Sequence, residues 1–357
     1  MPTYSVTTPQ RTYSAVVERG LLPRAGSYVP SKTGKLFIVT TADVWERHGP
    51  VLASGLEGRA HEVLFFPGGE ERKRLAEVEM LAEEMVRLGG DRSSLVIAFG
   101  GGIVNDLGGF LAAIFMRGIP VLQIPTTLLS QVDAGVGGKT GVNLVTGKNL
   151  VGSFHQPLAA LIDPDVLATL PEREYRAGLY EVIKCGIIRS ADLFTILAER
   201  HADVLSRDPD VVEEIISESV RIKAEVVSSD EREGGLRRIL NFGHTFGHAL
   251  EAETGYARFL HGEAVAFGMR AAVRLAEMRG TLTAREGAKM ADTISLYGPI
   301  PPVDGISAKN LVARMAADKK TLQGRVHFVL PVRIGEVEVV SEIDEDDVLA
   351  AARATLA

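Results

Sequence analysis

The sequence predicts an α/β N-terminal domain built on a parallel sheet, followed by a mainly α-helical C-terminal domain. Three observations carry this. Up to about residue 165, short β-rich runs alternate with helix-like segments, the pattern of strands joined by crossover helices. Beyond "TLPEREYRAG" the β-rich runs almost vanish and apolar residues recur at helical spacing. Glycine turns follow directly on several of the early strands. The expected domains span 1–168 and 169–357.

In chain order, "KLFIVTT", "EVLFFP", "SLVIAFGGG", "PVLQIPTT" and "AALIDP" read as buried strands, because aliphatic runs are bounded by turn residues. Between the second and third lies a helix-like segment over 70–89, "EERKRLAEVEMLAEEMVRLG". Residues 172–230 and 262–298 carry helical periodicity. "RVHFVLPVRIGEVEVV" (325–340) reads as one hairpin turning at "RIGE". The acidic "EIDEDD" suits the N-terminus of a last helix, where carboxylates meet the positive end of the macrodipole.

Composition narrows the function. A net charge of −7 carries no global basic signature for nucleic acid or anionic membrane, so an anionic substrate needs a local cationic cluster. The lone Cys185 excludes an internal disulfide framework and points to a reducing compartment. The first residues lack the apolar core of a signal peptide, and no uncharged apolar run reaches about 18 residues. A cytoplasmic protein with no nucleic-acid or membrane partner is expected.

Candidate ligand-binding residues gather after the strands. In "SLVIAFGGGIVNDLGGF" a strand runs into Gly100, Gly101 and Gly102 and then a helix, so backbone can approach a diphosphate at a helix start. The dinucleotide fingerprint is absent, because Asn105 stands where its third glycine belongs. "PGGEERK" adds Glu70 and Lys73 after the previous strand, and "PTTLLSQVDAGVGGKTGVN" adds Thr126 and Thr127 after the next. "GGKT" is not a P-loop, since Asp133 occupies the position of its first glycine. Residues 133–149 are instead expected to be a glycine-rich loop with Lys139, Asn143, Lys148 and Asn149, a combination suited to anions.

The helical half raises a metal question. Glu181, His244, His248 and His261 are candidate ligands, and His-x-x-x-His on a helix is sound ligand spacing. A zincin needs glutamate directly after the first histidine; Thr245 is there, so protease chemistry is not supported. Spacing alone does not decide which three of the four groups bind.

Taken together, "GGGIVNDLGGF", "IPTTLLSQVDAGVGGKTGVN", "GKNLVGSFHQP", "EVIKCGII", "LNFGHTFGHALE" and "HGEAVAFGM" resemble, in order and over essentially the whole chain, the 3-dehydroquinate synthases of the sugar phosphate cyclase superfamily. The resemblance implies a Rossmann-like sheet, NAD+, and one divalent metal, zinc or cobalt. It implies a carbon–oxygen lyase that turns 3-deoxy-D-arabino-heptulosonate 7-phosphate into 3-dehydroquinate and phosphate in the shikimate pathway, working as a homodimer. By matching motif positions, Glu181, His244 and His261 are the metal ligands and His248 faces the substrate. Asp133, Lys139, Asn149, Lys184, Lys223, Arg237 and Asn241 accompany it, with Arg117 reaching the adjacent subunit's phosphate. One of Lys319 and Lys320 joins them.

For NAD the matching residues are Glu70, Lys73, Gly101, Gly102, Asp106, Thr126, Thr127, Lys139, Lys148 and Thr169. An acidic ribose contact usual after the first strand is replaced by "VTTADV", leaving Thr41 or Asp43 for that role. Other readings are a different cyclase such as a 2-deoxy-scyllo-inosose synthase, a metal-dependent polyol dehydrogenase, or an inactive regulatory relative. The last would be expected to lose residues among Lys139, Lys184, Arg237 and His248, all of which are present.

Overall fold

Five aliphatic runs form five neighbouring strands of one seven-stranded sheet. The computed structural model describes residues 2–317 and 326–357. Its sheet contains β1 (Thr3–Thr7), β2 (Thr12–Val17), β3 (Leu36–Thr40), β4 (His61–Phe65), β5 (Leu95–Gly100), β6 (Val121–Pro125) and β9 (Ala159–Ile162). The spatial order is β1-β2-β9-β6-β5-β3-β4. All neighbours are parallel except β1 and β2. Strands β3, β5 and β6 are buried along their whole length, which explains their uninterrupted apolar runs. The helices α1 (Ala42–Ser54), α2 (Leu75–Arg87) and α3 (Gly102–Ile114) connect them. Phe37, Val39, Leu64, Val78, Leu81, Leu107 and Leu111 belong to one buried cluster of this sheet and its helices.

Two local expectations need correction. The helix expected over 70–89 begins only at Leu75; Glu70–Arg72 form a short 3-10 turn and Arg74 is extended at the helix cap. Lys73 turns inward there to pair with Asp106, and an inward lysine breaks the helical register. The segment 133–149 is not a loop. After a π-turn over Ser130–Ala134 it forms β7 (Lys139–Leu144), paired antiparallel with β8 (Gly147–Phe154). Its glycines read as loop residues, yet Gly141 and Gly152 face each other in the ladder so closely that a Cβ on Gly152 would stand 3.1 Å from the Gly141 Cα.

The compact units run Met1–Pro171 with Val212–Arg232, and Glu172–Val211 with Glu233–Ala357. The first unit runs on to Pro171 and also takes in residues 212–232. Helix α7 (Pro209–Ser229) lies mostly in the first unit, where Ser217 Oγ meets Tyr4 Oη at 2.7 Å and Ser228 Oγ accepts from Thr7 N at 2.9 Å. Helical periodicity shows that α7 has a buried face but not which partner covers it.

The second unit contains α4 (Glu172–Arg189), α5 (Ala191–Glu199), α6 (His201–Leu205), α8 (His244–Glu253), α9 (His261–Met278), α10 (Ala284–Leu296), α11 (Ala308–Ala317) and α12 (Glu345–Leu356). The hairpin turning at "RIGE" is present as β10 (Phe328–Arg333) and β11 (Glu336–Val340). The acidic run starts α12, with the Asp344 side chain accepting from Asp346 N at 2.9 Å. No helix among the described residues is long and apolar enough to cross a membrane.

Candidate active site

In the first unit, β3 has β4 on one side and β5 on the other, so the β3-to-β4 and β4-to-β5 crossovers run in opposite directions across the sheet. Ligands of open parallel sheets bind beyond the carboxyl ends of the strands at such a reversal. Thr41 follows β3 there, Gly100 ends β5 and Gly101 and Gly102 follow it; Asp43, in the first turn of α1, is exposed. Thr126 N donates to Gly100 O at 2.9 Å, tying the end of β6 to that of β5. The start of α3 fits a diphosphate. Gly101 caps it without a side chain, no acidic residue lies in its first turn, and a Cβ on Gly101 would press 3.1 Å against Thr127 Cγ2.

Beside this turn, Lys73 Nζ is buried and donates to Asp106 Oδ2 at 2.5 Å and to Asn149 Oδ1 at 2.7 Å. Burial pushes the Asp106 carboxyl up and Lys73 opposes the shift. Thr127 Oγ1 and Ser130 Oγ lie 2.9 Å apart in the turn that leads to Asp133. Lys148 is half-buried and Lys139 exposed, at the starts of β8 and β7.

Taken by itself, "SVRIKAEVV" reads as a helix with a surface lysine. The structure instead buries Lys223 and brings its Nζ to 2.5 Å from Asp133 Oδ1. Two residues ninety positions apart thereby form one charged pair. Arg117 and Thr169 take no part in these hydrogen bonds. Arg117 is exposed in a turn where both Met116 and Arg117 have positive φ, 51° and 73°. Thr169 is exposed, donates to Val166 O, and has His48 Nε2 2.8 Å from its hydroxyl.

In the second unit three helices converge. Glu181 and Lys184 share a face of α4, His244 opens α8 with His248 one turn on, and His261 opens α9. Lys184 Nζ holds Glu181 Oε2. The other oxygen, Oε1, is buried, accepts no hydrogen bond, and lies 3.8 Å from His244 Nε2 and 3.6 Å from His261 Nε2. Both imidazoles are anchored from behind. His244 Nδ1 donates to Phe242 O at 3.1 Å and His261 Nδ1 to Glu251 Oε2 at 3.2 Å. A carbonyl or carboxylate can only accept, so each Nδ1 carries a proton, and in the neutral ring each Nε2 presents its lone pair.

One carboxylate oxygen and imidazole nitrogens whose far sides are hydrogen-bonded are a donor set that fits a divalent cation such as zinc. A second set shares its histidines: nitrogens of His244, His248 and His261 lie within 4.8 Å of one another. His248 packs edge-on to His244, ring centres 5.3 Å apart, and is half-buried. Nearby in the chain, Arg237 is buried and Asn241 Nδ2 donates to Glu233 Oε1, both in the 3-10 turn Leu236–Asn241. Lys319 and Lys320 lie outside the described residues.

Glu251 was not singled out from the sequence, although it could have been. His244, His248 and Glu251 fall at i, i+4 and i+7, one face of a helix. Gln156 and Glu231 carried no such signal; Gln156 Nε2 meets Glu231 Oε1 at 2.8 Å only through tertiary folding.

A sequence profile for the 3-dehydroquinate synthase N-terminal domain matches residues 63–177, and one for the C-terminal domain matches 178–321. The 3-dehydroquinate synthase of Solibacter usitatus (strain Ellin6076) is 67% identical over 357 residues, covering 100% of both chains. The chain belongs to the 3-dehydroquinate synthase family. A 3-dehydroquinate synthase from Koribacter versatilis (strain Ellin345) is 47% identical over 351 residues, 97% of this chain and 96% of the relative. Among solved structures, the 2-epi-5-epi-valiolone synthase of Streptomyces hygroscopicus subsp. jinggangensis 5008, with NAD+ and Zn2+ bound, superposes with a TM-score of 0.89. It is 30% identical and covers 98% of each chain. The 3-dehydroquinate synthase fold thus extends over the full length of the chain.

Proposed function

We propose that the chain converts 3-deoxy-D-arabino-heptulosonate 7-phosphate to 3-dehydroquinate and phosphate with NAD+ and one divalent metal, as a cytoplasmic homodimer. The observation that carries this is the buried Glu181 Oε1 facing Nε2 of both His244 and His261, with His248 alongside. Glu181, His244 and His261 are the metal ligands in this reading, and cobalt can replace zinc. Lys184 takes up one Glu181 oxygen and leaves the other as a single-atom donor. When bound, the metal would supply Lewis acidity and NAD+ a reversible hydride acceptor that is not consumed.

The remaining work falls to this chain's own side chains. His248 accepts the proton of the substrate hydroxyl at a ring nitrogen, a role suited to an imidazole near neutral pH. The Lys184 ammonium, paired with Glu181, supplies positive charge for an anionic substrate. Arg237 offers a planar fork for a carboxylate or phosphate, and Asn241 is held beside it by Glu233. Lys139, Asn149, Asp133 and Lys223 are assigned to the substrate, and Arg117 to the site of the neighbouring protomer. Glu70, Lys73, Gly101, Gly102, Asp106, Thr126, Thr127, Lys139, Lys148 and Thr169 are assigned to NAD+, with Thr41 or Asp43 at its ribose.

The test is phosphate release from the heptulosonate phosphate with and without NAD+. We expect release that requires NAD+ while absorbance at the NADH band stays flat at steady state. Stoichiometric growth of NADH would make the protein a simple dehydrogenase.

A further inference from the structure

One buried amide, outside the residues assigned above, links the cofactor side of the first unit to its substrate side. Asn143 is 5% exposed and lies where β7 and β8 lose register, between Val142 and Leu144. Such irregularities re-aim side chains beside functional sites. Its Nδ2 donates to Glu70 Oε1 at 2.6 Å and to Glu70 O at 3.1 Å. Its Oδ1 accepts from Asn149 N at 2.8 Å, and its own backbone N–H donates to Lys73 O at 2.8 Å. The amide can face only one way, because a carboxylate only accepts and a backbone N–H only donates.

Both neighbours need this support. The Glu70 carboxylate sits on a half-exposed 3-10 turn of three residues. Asn149 has φ +52°, the left-handed region that residues with side chains seldom occupy. Its backbone N–H is held by Asn143 and its side-chain oxygen by Lys73, which in turn pairs with Asp106. Asn143 thus closes a ring that runs Glu70, Asn143, Asn149, Lys73 and back along the chain to Glu70.

We propose that Asn143 is a positioning residue that aims the Glu70 carboxylate at NAD+ and fixes the left-handed Asn149 for the substrate. This rests on the reading of Glu70 and Asn149 given above. The test is a double-mutant cycle on the metal-loaded, full-length protein, read as the Kd for NAD+ by calorimetry. Asn143→Asp keeps the size and the acceptor for Asn149 N–H but sets a second carboxylate against Glu70.

We expect Asn143→Asp to weaken NAD+ binding about tenfold, the scale of one hydrogen bond to a charged group. In a Glu70→Ala background the same change should have no further effect. Asn143→Ala, which releases both neighbours, should lower kcat as well as NAD+ affinity. An equal loss from Asn143→Asp in both backgrounds, or no loss in either, overturns the proposal, because a general structural role would not depend on Glu70. Unaltered NAD+ binding in Glu70→Ala alone would remove the cofactor role of Glu70, and this proposal with it. Should Asn143→Asp not fold, Asn143→Ser, too short to reach Glu70, carries the same cycle.

Discussion

Gly262 of α9 lies against the backbone of Ala177 in α4, so close that a Cβ on Gly262 would stand 1.9 Å from the Ala177 carbonyl oxygen. Six residues further on, a Cβ on Gly268 would stand 1.8 Å from Gly243 O, at the start of α8. These two contacts bring His261 next to Glu181 and next to His244. Helices separated by side chains would hold the three groups too far apart to meet.

Gly262→Ala should therefore force α9 away from α4. Overpacking of this kind costs about 1–3 kcal/mol or more. Denaturant unfolding should show the loss, and purified protein should carry less metal than wild type. Wild-type stability and metal content would show that the helices can yield without moving the ligands.

His244→Ala and His248→Ala should part company. We expect His244→Ala, like Glu181→Ala and His261→Ala, to lose metal and activity together. His248→Ala should keep its metal and NAD+ and lose turnover, by roughly 10²–10⁴-fold for a lost acid–base group. Metal analysis of the variants side by side decides between the two overlapping ligand sets. Equal metal loss from His248→Ala would favour the all-histidine set.

Glu251→Gln should weaken the metal without removing a ligand. The carboxylate behind His261 Nδ1 sets the ring's tautomer and raises its basicity, and loss of such partners typically costs about 10–100-fold in metal affinity or activity. Chelator competition gives the affinity, and the visible spectrum of the cobalt-loaded protein reports ligand geometry. An unchanged spectrum and affinity would show that His261 needs no such support.

Stability should fall as the solution is acidified below about pH 6.5, the ordinary histidine value, with His155 contributing. Burial holds His155 below that value in the folded chain, while its Nε2 donates to Ile119 O at 2.9 Å. The sign follows from proton counting. Between the depressed folded value and 6.5 the unfolded chain binds a proton that the folded chain does not, so acid favours unfolding. His155→Gln, which retains a donor for Ile119 O, should flatten the decline in denaturant midpoint between pH 7.5 and 5.5. An equally steep decline in the variant would assign the effect to other groups.

Much of the site was legible because its chemistry is local. Glycines at 100–102 after a strand, His244 and His248 one helical turn apart, and Glu181 with Lys184 at i,i+3 each follow from spacing along a single element. The pairing of Lys223 with Asp133 was not legible from spacing, since α7 leaves the helical half to pack on the sheet and its amphipathic pattern is the same whichever unit covers it. The Asn143 contacts were also hidden, because they depend on a register shift between two strands whose glycines read as loop.

By itself the sequence determined the five aliphatic strands, the hairpin at "RIGE" and the helical character of the second half, since burial period and turn chemistry are written within a few residues of each position. It also determined the supply of groups: one carboxylate, three imidazoles and a set of lysines in motifs matching the 3-dehydroquinate synthase family. Only the tertiary structure decided which oxygen of Glu181 faces His244 and His261, and that Phe242 O and Glu251 hold those rings from behind. Such choices depend on distances of a few ångströms between elements far apart in the chain. These are set by how closely the helix backbones can pack, which here is decided where Gly262 and Gly268 leave room for a carbonyl oxygen.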